Sequence, residues 1–197
     1  MKIYSERIYV PEGVISGTIT VSDGKITAIE KGIKDADAID YGNHRVIPGI
    51  FDTHNHGTCG FDPANGQHLP KEQAKQQIRG YLKGLASQGV TSIFPTVVES
   101  DALSNIAEVA EEHEAIGAEI LGIHSEGPWL NRVGEKGIRT GWPEISVEKA
   151  KKMVSDSKGW LKLVAIAPEI PGAYEVIEYF LSQGITVAAA HSDNHYK

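Results

Sequence analysis

The sequence holds a single cysteine, Cys59. That excludes an intrachain disulfide, and with it a small fold stapled by bridges; a lone thiol suits a reducing compartment. No apolar run approaches the roughly 18 residues that a membrane-spanning helix needs. The opening residues, Met1-Lys2-Ile3-Tyr4-Ser5-Glu6, lack an apolar signal region, so the expected location is cytoplasmic. Basic residues are outnumbered, with 19 Lys+Arg against 26 Asp+Glu and a net charge of −7. A nucleic-acid partner, which wants a basic face, is therefore not expected. Low-complexity tracts, long charge runs and internal repeats are absent too, which argues against disorder and against a solenoid. What is present is a globular composition, with 41% hydrophobic residues, enough for a sizeable core. Eight histidines stand out, and their positions matter more than their number.

Two grammars follow one another along the chain. Up to about residue 45, short β-branched runs are separated by turn signals: Pro11-Glu12-Gly13, then Asp23-Gly24 between Val14–Val21 and Lys25–Ile29. Asp-Gly between alternating strands is a strong hairpin signal, so residues 1–45 read as a small antiparallel β module. From residue 46 onward, apolar runs alternate with helical stretches. The expected strands are Val46–Asp52, Thr91–Val97, Glu119–His124, Leu161–Ala167 and Ile185–Ala190. The expected helices are Lys71–Gln88, Ala102–Ile116, Val147–Ser157 and Ala173–Gln183. Apolar strands separated by helices predict βαβ units and a parallel sheet buried on both faces. A complete (β/α)₈ barrel needs roughly 250 residues, and only about 150 follow the β module. Arithmetic alone prefers an open, doubly wound sheet of five strands.

The residues after the strands argue otherwise. The first strand runs into Asp52-Thr53-His54-Asn55-His56-Gly57, the third into His124-Ser125-Glu126-Gly127-Pro128, the fourth into Pro168-Glu169 and the fifth into His191-Ser192-Asp193. In a parallel α/β fold all these carboxyl ends share one face, where active sites form. His54 and His56, two apart, point the same way on an extended strand. A His-X-His pair alone says little, His191 alone reads as a hydrogen-bonded strand-end residue, and Glu126 alone as a cap or surface carboxylate. Together, imidazoles and a carboxylate at successive strand ends are a donor set for zinc, iron or manganese in preference to magnesium or calcium. His124 either shares that face or supports it from behind. His44, His68, His113 and His195 have no such placement, and His113 reads as a solvated helix residue.

Pro48-Gly49-Ile50-Phe51-Asp52-Thr53-His54-Asn55-His56-Gly57 resembles the first-strand signature of the amidohydrolase superfamily. His124-Ser125-Glu126-Gly127-Pro128-Trp129-Leu130-Asn131 resembles the His-X-Glu-Gly-Pro-(Phe/Trp) segment of the N-acetylglucosamine-6-phosphate deacetylases. Thr91–Thr96, Ala167–Glu169 and Ala190–Ser192 are similar to further stretches of that family in the same order. The resemblance implies a (β/α)₈ barrel beside a small β-sandwich, here an N-terminal half that stops after about strand five. Residues 1–45 would belong to the sandwich and 46–197 to the metal-dependent hydrolase barrel. It implies that Glu126 and His191 bind metal and that His54 and His56 complete a second site in some members, so one or two ions, zinc first, are expected in the complete protein. The family's second metal-binding His, on strand six, and its catalytic Asp, on strand eight, would lie beyond residue 197. Glu169 would be structural or support the metal ligands.

The implied reaction is hydrolysis of the N-acetyl group of an amino-sugar phosphate, with a small-molecule partner and a homodimeric complete protein. The alternatives are another amidohydrolase, acting on a related amino-sugar phosphate, a dipeptide or a cyclic amide, and an inactive metal-binding fragment. One segment departs from the family pattern. Where the family runs into Lys/Arg-Gly-Ala-His against the substrate, this chain has Glu135-Lys136-Gly137-Ile138-Arg139. On the resemblance, Gly137, Ile138 and Arg139 would lie against the substrate, with Arg139 in place of the family's His and Arg139 or Arg132 available to a phosphate. A second departure puts Asn194 and His195 after His191-Ser192, where the family has a small residue.

Overall fold

The computed structural model of the chain describes residues 1–64, 68–98, 102–131 and 144–193. The chain divides into two compact units, Met1–Gly49 and Ile50–Lys197.

The first unit is one five-stranded sheet. Strands β1 (Lys2–Val10), β2 (Gly13–Ser22) and β3 (Lys25–Lys31) form an antiparallel meander, and the two-residue strands β4 (Ile39–Asp40) and β5 (Arg45–Val46) both run parallel to β1. The β2–β3 hairpin closes at Ser22 and Lys25. Both residues of its turn have positive φ, Asp23 at 50° and Gly24 at 72°, which is the type I′ geometry matching the twist of paired strands. At Gly17 a Cβ would meet the Glu30 carbonyl oxygen at 2.3 Å, so only glycine lets β3 approach β2 there. Val46 pairs with Ile8 in this sheet. The expected strand from Val46 to Asp52 is therefore two strands interrupted at Pro48-Gly49, with Ile50 starting the second unit.

The second unit alternates β6 (Ile50–Asn55), α1 (Lys71–Ser87), β7 (Val90–Val97), α2 (Leu103–Glu111), β8 (Glu119–Ile120), β9 (Ile123–Glu126), α3 (Val147–Asp156), β10 (Leu161–Ile166), α4 (Ala173–Ser182) and β11 (Thr186–Ala189). The pairings between its named strands are all parallel, in the order β6-β7-β9-β10-β11, with β8 also on β7. Each new strand joins beside the last. A doubly wound sheet would reverse direction at a switch point; uniform right-handed crossovers put every helix on one face and curl the sheet. Consistently, α1 packs on α2, α2 on α3 and α3 on α4. The core between helices and sheet includes Ile78, Tyr81, Leu85, Ile93, Leu103, Ile106, Ile123, Met153, Val164, Val176 and Phe180, all essentially buried. α3 is entered through Ser146, whose hydroxyl accepts from the Lys149 amide at 3.2 Å. No helix among the described residues is long and apolar enough to cross a membrane.

Two elements differ from expectation for local reasons. The strand expected over Glu119–His124 is split at Leu121-Gly122, where the backbone runs so close to its neighbours that a Cβ on Gly122 would meet Lys162 and Phe94, at 2.4 and 2.7 Å. Helix α2 ends at Glu111, short of Ile116. His113 turns left-handed (φ 50°) and the following loop docks on α1, with the Ala118 amide donating to the Leu82 carbonyl at 3.0 Å. His113 is exposed as expected, but lies past the end of the helix.

Candidate metal centre

Sheet register decides which side chains meet. Asn55 pairs with Pro95, Thr96 with His124, Glu126 with Ala165, and Ile166 with Ala189. The strand ends therefore form one rim, and the residues around it carry the donor atoms. Glu126 is the hub. Its Oε2 lies 2.7 Å from His56 Nε2, its Oε1 lies 2.7 Å from His191 Nε2 and 3.4 Å from His54 Nε2. His54 and His56 are 3.2 Å apart through their Nε2 atoms. All four residues expected to bind metal are thus brought together, around a carboxylate whose side chain is 12% exposed while those of His54 and His56 are 50% and 47% exposed. The acid is sunk in the rim and the imidazoles stand at its mouth.

The charges follow from this arrangement. The hydrogen bond from His56 holds the Glu126 carboxyl down at about 2; His191 and the charge of His54 add to it, while burial opposes them. Reciprocally, Glu126 raises the His56 imidazolium above its usual value. His124 goes the other way, pushed down to about 4 chiefly by burial, with neighbouring His54 reinforcing the effect. It is a neutral imidazole at pH 7.

The donor set fits a divalent cation. Two nitrogen or oxygen ligands bonded at about 2.0–2.2 Å in a tetrahedral shell stand about 3.4 Å from each other. His54 to His56 at 3.2 Å and His54 to Glu126 at 3.4 Å match that spacing, and the ligand atoms of His54, His56 and Glu126 all lie within 4.8 Å of one another. The 2.7 Å contacts are hydrogen-bond lengths, in which a proton joins the lone pairs that a cation would otherwise join. Because its two oxygens face different imidazoles, Glu126 can serve one ion or bridge two.

A supporting set holds the ligands in place. Glu169 accepts from Asn131 Nδ2 at 2.8 Å, from Ser192 Oγ at 2.8 Å and from the Asp193 amide at 2.7 Å. Burial raises its pKa, but these hydrogen bonds outweigh burial and lower it. The Asn131 amide also donates to the His191 carbonyl at 3.0 Å. The segment carrying His191, itself left-handed at φ 51°, is thereby tied to the chain that leaves β9. Asp52 accepts from the His54 amide at 3.0 Å. The role of Asn131 depends on partners far along the chain, Glu169 and His191, and its place in the segment after β9 does not by itself reveal them. A separate pocket, lined by Leu82, Thr91, Val109, His113 and Ile116 among others, opens at the amino ends of β7 and β8, away from the rim. Gly137, Ile138, Arg139 and Arg132 lie outside the described residues, as do Asn194 and His195.

A curled parallel sheet with histidines and a glutamate gathered at its carboxyl rim is the partial barrel that the amidohydrolase resemblance implies. The Allantoinase, composite domain model matches residues 2–44, and the Amidohydrolase family model matches residues 45–195. The chain belongs to the amidohydrolase family, which is metal-dependent. It is 35% identical over 188 residues to an N-acetylglucosamine-6-phosphate deacetylase of Vibrio furnissii, covering 91% of this chain and 45% of that protein. It is 28% identical over 200 residues to an N-acetylgalactosamine-6-phosphate deacetylase of Escherichia coli O157:H7, covering 95% and 49% respectively. The fold matches the crystal structure of an N-acetyl-D-glucosamine-6-phosphate deacetylase from Mycobacterium smegmatis with a TM-score of 0.78 at 22% identity, over 98% of this chain and 55% of that one. The chain spans about half the length of the curated relatives it matches.

Proposed function

We propose that the protein of which this chain is part deacetylates N-acetylglucosamine 6-phosphate, giving glucosamine 6-phosphate and acetate. The observation that carries this is the convergence of His54, His56 and His191 on Glu126 at the rim, in a chain related to deacetylases of amino-sugar phosphates. His54, His56, Glu126 and His191 are the proposed metal ligands, for one ion or two. Zinc is the first candidate; iron and manganese accept the same donors. A divalent cation bound there supplies a Lewis acid for the amide carbonyl and lowers the pKa of water.

The chain's own residues do the holding. Glu126 stays ionised far below neutral pH, so the anionic donor is available whenever the histidines are neutral. Glu169 and Asn131 fix the segment of His191, and Asp52 fixes the amide of His54. Gly137, Ile138 and Arg139 are the proposed substrate contacts, the Arg139 guanidinium meeting the phosphate. Proton transfer is assigned to an Asp beyond residue 197, following the family resemblance. Residues 1–45 are proposed as part of a β-sandwich module and 46–197 as part of the hydrolase barrel. The separate sheet of the first unit supports that division. The complete protein is proposed to be a cytoplasmic homodimer.

A second sugar is favoured by one relative, whose name specifies N-acetylgalactosamine 6-phosphate. Acetate release from each sugar phosphate and from an N-acetyl dipeptide, measured with the complete reading frame and added zinc, separates these readings. Turnover of N-acetylglucosamine 6-phosphate well above the other two is expected. Preference for the dipeptide would refute the proposal, and preference for the galacto sugar would correct its substrate. The 197-residue chain alone is expected to fall short of the complete protein by at least ~10²-fold, the usual contribution of general acid–base catalysis.

A further inference from the structure

The ladder between β6 and β7 breaks where the His-X-His pair begins. Asp52 pairs with Ile93, and the next pair is Asn55 with Pro95, so three steps on β6 match two on β7. Pro95 also has no N–H to offer. Peptides 53 to 55 therefore lack regular sheet partners, and side chains replace them. The Asn55 amide donates to Thr96 Oγ1 at 3.0 Å, the Tyr81 hydroxyl donates to the Asn55 carbonyl at 3.1 Å, and His124 Nδ1 lies 3.1 Å from the Thr53 carbonyl.

The last contact fixes a tautomer. A carbonyl oxygen only accepts, so the proton of His124 is on Nδ1 and Nε2 is left as a bare lone pair. Thr96 Oγ1, 3.4 Å from the same Nδ1, then has no acceptor there; its own proton goes to the Phe94 carbonyl at 3.3 Å. His124 is 4% exposed, and its Nε2 is buried with no hydrogen-bond partner among the described residues. Burying a polar atom without a partner is costly, so the imidazole is kept for something that offsets the cost. Its ring stands edge-on to that of His54, centroids 4.9 Å apart at 86°, much as His56 does on another side at 5.1 Å and 71°.

We propose that His124 is the positioning residue of the His54/His56 pair: its Nδ1–H pins the Thr53 carbonyl and its ring braces that of His54, so that the irregular end of β6 aims both imidazoles at Glu126. It acts through the 53–54 peptide and not as a ligand. This rests on the reading that His54, His56 and Glu126 hold a divalent cation.

The test uses His124→Asn, whose amide nitrogen approximates Nδ1, and His124→Gln, whose amide nitrogen approximates Nε2, in the full chain. One readout is cobalt(II) affinity from visible absorption. The other is amide hydrogen exchange at His54 and Asn55 without metal. His124→Gln is expected to lose ~10–100-fold in cobalt affinity, the range seen when groups supporting metal ligands are removed, and to speed exchange at both amides. His124→Asn is expected to keep both properties near those of the parent chain. Equal loss in the two variants, retention by Gln alone, or unchanged exchange in both would overturn the proposal. If the parent chain takes up no cobalt, the metal reading fails by itself, and the exchange ranking still decides the role of His124. If neither variant folds, the ring-nitrogen resonances of His124 in the parent chain decide. A protonated Nδ1 with a bare Nε2 is expected, and the opposite tautomer, or a cobalt-induced change at Nε2 like that at a ligand, overturns the role.

Discussion

Replacing Glu126 with Gln keeps the shape of the hub and removes its charge. In the metal-free chain the carboxyl titrates at about 2 instead of its ordinary 4.5. At 1.36 kcal/mol per pH unit, that difference corresponds to about 3 kcal/mol of interaction with the surrounding imidazoles. The Glu126 side chain is only 12% exposed, but the His54 and His56 imidazoles it meets are 50% and 47% exposed, so solvent screens part of this interaction. Gln retains part of the hydrogen bonding, which leaves an expected loss of about 2–3 kcal/mol, or ~1–2 M in the urea midpoint. The pH dependence has a definite sign. Glu126 has a lowered pKa in the fold, so its contribution is present above about pH 4.5 and is lost as pH falls toward about 2. His56 has a raised pKa, so its share is present below about 6.5 and is lost as pH rises through the raised value. The gap between parent and Glu126→Gln, measured by urea unfolding with a chelator, is therefore widest between about pH 4.5 and 6.5 and narrows on either side. A gap independent of pH, or none near pH 5.5, would refute the charge assignment.

Three further outcomes test the frame around the hub. Gly17→Ala forces a Cβ into the Glu30 carbonyl at 2.3 Å, and a loss of about 1–3 kcal/mol is expected from the strain of overpacking, read from the denaturation midpoint. Glu169→Ala removes the acceptor of three hydrogen bonds. Its expected effect is faster proteolysis or exchange around residues 191–193 and weaker metal binding, while the first unit's exchange pattern stays as it was. Phe180→Ala opens a hole in the fully buried core under α4 and is expected to cost about 3–5 kcal/mol in thermal or urea unfolding.

The alternation of apolar runs with amphipathic stretches made the parallel sheet legible, because strands buried on both faces leave an unmistakable pattern of short apolar blocks. His54, His56, Glu126 and His191 were legible for the same reason: each directly follows such a block, and strand ends share a rim whatever the loops do. What was not legible depends on geometry between strands. Nothing local to Gly122 reveals that Lys162 and Phe94 leave no room for a Cβ there, and the break between β8 and β9 at the same place was hidden as well. The end of α2 was hidden too, because Ala115 and Ile116 continue the apolar spacing while the turn at His113 is set by docking on α1. Val46 continues the apolar block of Ile47 and Ile50 yet pairs with Ile8. The choice between open sheet and barrel was settled by strand order, which counting residues does not reveal. The clamp of Thr96, Tyr81 and His124 on residues 53–55 follows from a register irregularity between β6 and β7, a feature with no signature in either strand taken alone.

The central claim is that His54, His56 and Glu126 hold a divalent cation at the strand-end rim. Anomalous diffraction at the zinc edge, from crystals of the protein grown with zinc, tests it most directly. The account predicts a strong peak bonded to His54 Nε2, His56 Nε2 and a Glu126 oxygen at about 2.0–2.2 Å, with or without a second peak on the His191 side of the same carboxylate. Zinc found only elsewhere, on Cys59 or His113 for example, with the three rim residues still hydrogen-bonded to one another, would contradict it.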